Sequence, residues 1–186
     1  HKKGYTIVVL GDPGHAEVEG IKGYAEGEAW VIQGPEDVYS LPDAGSVCLV
    51  AQTTQERERF EDVARAIRKR YSHLTEESLV ISDTICDSTR NRQEEVRKLA
   101  DRVEAMVVVG GKGSANTRRL VQMAERAGLP AYLAETEKDL KRDELSKYKV
   151  VGLTAGASTP NWMIRRMYNE LLSISPRRSV TGYLRG

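Results

Sequence analysis

The sequence predicts an α/β fold made of two similar small units, each with a mostly parallel sheet flanked by helices. Short runs of β-branched residues alternate with longer segments in which apolar residues recur every three or four positions. Glycine-containing turns follow several of these runs, as expected where a parallel strand passes into a right-handed crossover. The same order of elements then appears a second time, which makes the two units pseudo-symmetric.

In the first half, β-branched composition predicts strands at residues 5–10, 29–32, 46–51 and 79–85. Residues 35–41 begin with a proline and predict a short helix. Residues 56–71 predict an amphipathic helix, because Phe60, Val63, Ala64 and Ile67 share one face at helical spacing. Strands that alternate with helices in this way imply a mostly parallel sheet whose strands are joined by right-handed crossovers.

In the second half, residues 91–103 predict a helix with apolar residues on one face, and residues 105–109 predict a buried strand. A helix at 117–127 ends before Gly128, and strands follow at 130–134 and 149–153. A short helix is predicted at 137–140, and a last helix is led by Pro160. The order of elements matches that of the first half.

Two stretches of the first half correspond to two stretches of the second. Residues 8–15 (VVLGDPGH) match 107–114 (VVVGGKGS), and residues 49–54 match 152–158. Any parallel α/β protein repeats strand, glycine turn and helix, which explains the shared glycines. It explains less well why small polar residues follow the same two strands in each half. We predict units at 1–80 and 81–172 and a C-terminal tail at 173–186. Ligands of such sheets bind beyond the carboxyl ends of the strands, so both halves are expected to turn these loops toward one hollow.

Composition excludes several classes of function. Twenty-eight Lys and Arg residues against 27 Asp and Glu give a formal charge of +1, so no global field favours nucleic acid or a membrane surface as partner. Two cysteines make no disulfide framework, nothing resembles a signal peptide, and the apolar runs are too short to span a bilayer. A cytoplasmic location is predicted.

Cys86 ends an apolar, β-prone run and is followed by a polar turn and a helical pattern. A thiolate is stabilised at the tip of a strand that faces the positive end of a helix. This placement suits a metal or cluster ligand, or a nucleophile. The alternative is an isolated loop thiol with no role. Cys48 lies inside a strand and is predicted to be a core residue.

Residues 14–20 (GHAEVEG) place an imidazole and two carboxylates on a predicted turn directly after a buried strand. His15 can donate to an anionic oxygen, and Glu17 can carry a proton. Alternatively, the glutamates only complement a helix dipole, a reading that fits Glu19 better than Glu17. Thr53 follows the third strand of the same unit and is expected to reach the same cleft.

Residues 110–117 (GGKGSANT) form a glycine-rich turn that leads into a helix, so backbone N–H groups, Ser114 and Asn116 are candidate anion donors. The turn is neither a Walker A loop nor G-x-G-x-x-G, so a nucleotide is not specifically indicated. Ordinary helix capping explains the same residues. Ser158, in the turn after the strand at 149–153, has the same two explanations.

Five of these segments occur in a fixed order: residues 14–20, 51–54, 84–93, 108–117 and 154–158. Together they resemble the second and third thirds of the LytB-type family, the 4-hydroxy-3-methylbut-2-enyl diphosphate reductases of the non-mevalonate isoprenoid pathway. The resemblance extends to about Ser173.

The resemblance implies three α/β units around an iron–sulfur cluster of the 4Fe–4S type, each unit supplying one cysteine. It implies reduction of an allylic diphosphate to isopentenyl and dimethylallyl diphosphates with electrons from an external ferredoxin- or flavodoxin-type donor. The residues that match the family's functional positions are Cys86 as cluster ligand, His15, Ser114, Asn116 and Ser158 as diphosphate ligands, Glu17 as proton-delivering acid, and Thr53 as the hydroxyl that positions substrate and proton path.

The chain also departs from the family pattern. No segment of this sequence resembles the family's first unit, which the resemblance implies would supply two cluster cysteines and two diphosphate histidines. Ala115 stands where many relatives carry a second serine. We therefore expect this chain to be part of a longer parent, and to lack both cluster and activity alone. A non-enzymatic phosphate- or nucleotide-binding module, or an interaction domain in which Cys86 is incidental, are the competing hypotheses.

Overall fold

The computed structural model describes residues 3–174 and 179–182. The chain divides into two compact units, His1–Cys86 and Asp87–Gly186. Each unit is built on a four-stranded sheet in which every strand pair is parallel. The predicted α/β class with two similar units is therefore confirmed. The assignment of residues 1–80, 81–172 and 173–186 to thirds and tail of a parent stays a prediction.

Unit 1 has the strand order β2-β1-β3-β4, so its two central strands are β1 and β3. Its elements in chain order are β1 (Thr6–Leu10), α1 (Ala16–Tyr24), β2 (Ala29–Ile32), a 3₁₀ helix (Pro35–Ser40), β3 (Val47–Ala51), α2 (Arg57–Arg70) and β4 (Leu79–Ile81). The apolar face of α2 packs on the sheet, with Phe60, Val63 and Ile67 buried in the same core as Leu10 and Leu49. This core fixes the loops that follow β1 and β3.

Unit 2 has the strand order β6-β5-β7-β8, the same pattern as unit 1. Its elements are α3 (Asp87–Ala100), β5 (Ala105–Val109), α4 (Ala115–Arg126), β6 (Ala131–Ala134), a 3₁₀ helix (Glu137–Asp139), α5 (Arg142–Leu145), β7 (Val150–Ala155), α6 (Asn161–Ile174) and β8 (Ser179–Gly182). Strand β5 is buried along its whole length, as its unbroken apolar sequence predicts. Helices α3 and α4 share one apolar cluster, and α6 packs in another.

The structure corrects several predicted elements. Residues 14–20, predicted to form a turn, lead into helix α1 and form its first half. Gly20 and Gly23 of this helix face open space, so the lack of a side chain there removes no packing contact. Helix α3 begins at Asp87 instead of residue 91, so the supposed polar turn after Cys86 is its first turn. Helix α5 and strand β8 were not predicted.

The predicted tail at 173–186 contains the end of α6 and strand β8, while residues 175–178 and 183–186 lie outside the described part of the chain. Within the described ranges, no helix has the length and apolar character needed to cross a membrane.

Candidate functional site

In unit 1, the predicted acid and the predicted hydroxyl are in direct contact. Glu17 lies in the first turn of α1, and Thr53 follows β3 by two residues. The Thr53 backbone N–H donates to Glu17 Oε1 at 2.8 Å, and the Thr53 hydroxyl donates to Glu17 Oε2 at 2.9 Å. Both oxygens of the carboxylate are therefore held by one residue, which fixes the plane of the group.

His15 is the N-cap residue of α1, with an extended backbone and its ring beside the first turn. Its Nδ1 accepts the Glu17 backbone N–H at 3.2 Å. A neutral imidazole that accepts through Nδ1 carries its proton on Nε2. The ring is half-buried. The capping bond thus leaves Nε2–H as the donor that His15 offers to an anion.

Cys86 is not at the tip of a strand, which corrects the sequence prediction. Strand β4 ends at Ile81, and residues 82–86 continue beside β3 without forming a ladder. The hydroxyl of Thr84 takes the place of a ladder bond, accepting from the Ala51 N–H at 2.9 Å and donating to the Ala51 carbonyl at 2.5 Å. Hydrogen bonds from Ser82, Thr84 and Cys86 keep the segment alongside β3 and the residues after it, which is consistent with a strand-like sequence as far as Ile85.

Cys86 is exposed, and helix α3 begins at the next residue. Its backbone N–H donates to the Thr53 carbonyl at 3.0 Å. Thr53 therefore joins the thiol-bearing residue to Glu17, and Glu17 joins His15. The four candidate residues of unit 1 form one continuous chain of hydrogen bonds.

In unit 2, Ser114 is the N-cap residue of α4. Its Oγ accepts the Thr117 N–H at 3.3 Å, so capping is an actual role of this serine. The bond is long for a hydrogen bond, and the hydroxyl proton remains available to a further acceptor. The half-buried Ser114 can therefore cap the helix and donate to an anion at once.

The side chain of Asn116 is buried and unpaired among the residues that the structure describes. Its side chain is only 6% exposed, and neither its amide nitrogen nor its carbonyl oxygen has a hydrogen-bond partner among the described residues. A buried amide without partners costs roughly 1–3 kcal/mol, so such groups are rare in folded proteins. The arrangement fits a residue whose partner is a bound molecule.

Ser158 is exposed in the turn between β7 and α6. The turn is tied to the end of β5, because the Gly156 N–H and the Thr159 hydroxyl both donate to the Val109 carbonyl, at 2.9 and 3.0 Å. The loops that carry Ser114 and Ser158 therefore leave from the carboxyl ends of adjacent strands. Pro160 directly precedes α6.

Lys112 lies in the glycine-rich loop but does not offer its charge to an anion there. Its Nζ contacts Asp139 Oδ1 at 3.0 Å, and its backbone N–H donates to Glu135 Oε1 at 2.6 Å. These partners raise the pKa of Lys112. A hydrogen bond from the Thr136 backbone N–H, and to a smaller extent one from Lys112, lowers the pKa of Asp139 to about 2. The contacts of Lys112 with Glu135 and Asp139 therefore hold the glycine-rich loop to the segment that follows β6.

Gln52 is a residue of the unit 1 site that the sequence did not point out. It is fully buried, its Oε1 accepts the Asp12 N–H at 2.8 Å, and its Nε2 donates to Thr54 Oγ1 at 2.8 Å. It joins the loop after β1 to the loop after β3. The signal in the sequence is a polar residue directly after the buried strand β3.

The residues described do not by themselves fit a complete iron–sulfur site. Among them, no group of three or more His, Cys, Asp or Glu side chains is arranged to hold a metal ion. Cys86 is a single candidate thiolate, and Cys48 is partly buried within β3, where burial raises the pKa of its thiol.

Comparison with known proteins gives one consistent result. The family model described as LytB protein matches residues 1–172. A 4-hydroxy-3-methylbut-2-enyl diphosphate reductase from Clostridioides difficile is 41% identical over 173 residues, which are 92% of this chain and 60% of that protein. The reductase of the same name from Treponema denticola is 40% identical over 178 residues, 92% of this chain and 60% of that protein.

A solved structure, the E-1-hydroxy-2-methyl-but-2-enyl-4-diphosphate reductase from Plasmodium falciparum, aligns with a TM-score of 0.86 at 26% identity. The alignment covers 97% of this chain and 56% of that one. The chain thus spans about 60% of the length of the curated relatives that it matches.

Proposed function

Because the chain belongs to the LytB family, we propose that it forms part of a reductase that converts (E)-4-hydroxy-3-methylbut-2-enyl diphosphate to isopentenyl and dimethylallyl diphosphates. The chain covers about 60% of its relatives' length, so the proposed activity belongs to a protein of their full length. The 186 residues alone are proposed to be inactive.

The observation that carries the proposal is the contact between Glu17 and Thr53. A carboxylate held at both oxygens by one backbone N–H and one hydroxyl has a fixed direction of proton transfer. Helix capping does not explain this arrangement, because the side chain that caps α1 is that of His15 and not that of Glu17. We assign Glu17 as the acid: when protonated, its Oε2–H would donate to Thr53 Oγ1, and the Thr53 hydroxyl would orient the substrate and pass its own proton on.

The diphosphate is assigned to His15 in unit 1 and to Ser114, Asn116 and Ser158 in unit 2. The Nε2–H of His15 and the two serine hydroxyls are donors to phosphate oxygens. The buried Asn116 amide supports the assignment most strongly, because a bound anion would supply the acceptor that its Nδ2–H group does not find among the described residues. The glycine-rich loop and the N-terminus of α4 add backbone N–H groups.

The reaction breaks the C–O bond of the allylic hydroxyl. Two electrons enter the allylic fragment, one proton leaves with the oxygen as water, and a second proton is added to carbon. The electrons are proposed to come from an external ferredoxin- or flavodoxin-type protein. The chain's own contribution is to grip the diphosphate, to orient the hydroxyl and to deliver a proton through Glu17 and Thr53.

Iron–sulfur chemistry of the 4Fe–4S type would supply the electrons at the substrate, and Cys86 is proposed as one ligand. The other ligands must come from outside this chain, since the described residues do not complete a metal site. Unit 1 supports the ligand role in one respect, because Cys86 is exposed and its backbone is fixed by Thr53. A reducing cytoplasm is the proposed location.

The test is an anaerobic assay of the full-length protein after reconstitution with iron and sulfide. With the diphosphate substrate and a chemical reductant, mass spectrometry should detect both isomeric products. The 186-residue chain, assayed in parallel, should yield neither. Substrate that remains unconsumed by the full-length protein, although it binds, would favour the phosphate-binding module instead.

A further inference from the structure

We propose that Thr117 is the positioning residue that sets the spacing between the two loops assigned to the diphosphate in unit 2. The proposal rests on the proposed function, because that function assigns Ser114, Asn116 and Ser158 to the ligand. Thr117 itself is 1% exposed and is not assigned to the substrate.

Two glycines from different loops meet the side chain of Thr117. A methyl group on Gly110, at the end of β5, would lie 2.6 Å from Thr117 Oγ1. A methyl group on Gly156, directly after β7, would lie 2.5 Å from the same oxygen. Because Cβ atoms essentially never approach another atom within 3.0 Å, both loops are packed directly against this one hydroxyl.

Thr117 is also connected to two of the assigned ligands, Ser114 and Asn116. Its backbone N–H donates to Ser114 Oγ at 3.3 Å, and it directly follows Asn116 in the first turn of α4. On the other side, Gly156 and Thr159 are both tied to the Val109 carbonyl and lie on either side of Ser158. A shift of Gly156 away from Thr117 would therefore move Ser158 relative to Ser114 and Asn116.

Gly156 offers a steric test that does not involve backbone strain, because its φ lies outside the left-handed region that favours glycine. Gly110 is less suitable, since its φ of +151° disfavours any side chain. Gly156→Ala should push the two loops apart. Removing the Thr117 hydroxyl by Thr117→Ala should make room for the new methyl group, while the isosteric Thr117→Val should not.

The experiment measures the dissociation constant of inorganic diphosphate for the full-length protein by calorimetry, well below the unfolding temperature. Gly156→Ala should weaken binding roughly tenfold or more, Thr117→Ala with Gly156→Ala should restore it, and Thr117→Val with Gly156→Ala should not. Gly45→Ala is the matched control, since its methyl group meets nothing within 4 Å. A role in stability alone would lower the unfolding temperature and leave this constant unchanged.

Wild-type affinity in Gly156→Ala, or equal recovery with Thr117→Ala and Thr117→Val, would overturn the role of Thr117 and leave the proposed function in place. A wild-type full-length protein that does not bind diphosphate would instead refute the assignment of these loops to the ligand, and the inference with it. If Gly156→Ala does not fold, Thr117→Ala and Thr117→Ser decide the question. The alanine variant should bind more weakly and the serine variant normally, and equal affinities would refute the inference.

Discussion

The two units share one strand order, yet they treat their candidate functional side chains in opposite ways. In unit 1, Glu17, Thr53 and Cys86 are joined to one another by hydrogen bonds. In unit 2, Asn116 is buried without a partner among the described residues. The two copies of the α/β repeat therefore differ: the candidate residues of unit 1 hydrogen-bond to one another, while the Asn116 amide of unit 2 is without a partner among the described residues.

This difference separates two physical tasks. A group that transfers protons benefits from a fixed orientation, which its neighbours can provide before any ligand arrives. A group that grips a ligand must keep its hydrogen-bonding capacity unused, and the protein accepts the cost in stability. Support for the unit 2 loop accordingly comes from outside the site, through Lys112 and Asp139. The comparison predicts that substitutions at the two sites change the free energy of unfolding in opposite directions.

The largest effect is expected for Cys86. Cys86→Ser in the full-length protein should abolish iron retention and turnover, because a serine hydroxyl does not replace a thiolate as a cluster ligand. Iron analysis and the product assay measure the two effects separately. Cys48→Ala is the control, since Cys48 lies within β3 and should affect neither. Normal iron content in Cys86→Ser would remove Cys86 from the ligand set.

A smaller loss is expected for Glu17. Glu17→Gln keeps the size of the side chain but removes its proton, so turnover should fall by about 10² to 10⁴ while iron content and substrate binding stay normal. Glu19→Gln is the matched control, because Glu19 is on the same helical turn and pairs only with Lys22 among the contacts described. Turnover of Glu17→Gln within a few-fold of wild type would contradict the acid role.

Most of this fold follows from local patterns in the sequence. Buried strands such as β5 are unbroken apolar runs with the boundaries that composition predicts, and α2 shows its apolar face at helical spacing. One error arose where a side chain acts in place of the backbone. The Thr84 hydroxyl replaces the ladder bonds of Ala51, so Cys86 lies beyond the end of β4 in a segment whose sequence alone resembles a strand.

The candidate site was less predictable than the fold. The residue types of His15, Glu17 and Thr53 indicated chemistry, but their hydrogen bonds depend on the exact path of two loops 36 residues apart in sequence. Lys112 illustrates the limit, because only the fold shows that this residue of the glycine-rich loop pairs with Asp139. The orphaned amide of Asn116 is likewise visible only once burial is known.

Asn116 gives the sharpest contrast between the units. Asn116→Leu should raise the free energy of unfolding by about 1 kcal/mol, because it removes a buried amide without partners. The same change should weaken diphosphate binding by roughly tenfold or more, because a charge-assisted hydrogen bond is lost. Denaturant unfolding and calorimetry measure the two quantities. Lower stability of this variant would show that the amide is satisfied in the folded protein.

Thr53 in unit 1 should behave in the opposite way. Thr53→Val is nearly isosteric but removes the hydroxyl that donates to Glu17 Oε2. A half-buried carboxylate oxygen without its donor should lower the free energy of unfolding by about 1 kcal/mol. Denaturant unfolding beside Asn116→Leu tests the sign of both changes. Equal signs would mean that the two units do not differ in how they satisfy their polar groups.

The smallest effect concerns the outer support of the unit 2 loop. Hydrogen bonds from the Thr136 backbone N–H, and then from Lys112, lower the pKa of Asp139 from 3.8 to about 2. A group whose pKa is lowered on folding stabilises the protein above its unfolded pKa, and this contribution is lost as the pH falls from about 4 through about 2. Asp139→Asn should therefore reduce the difference in melting temperature between pH 5 and pH 2. Identical pH profiles for variant and wild type would mean that Asp139 does not support the loop through its charge, and that Lys112 is held by Glu135 alone.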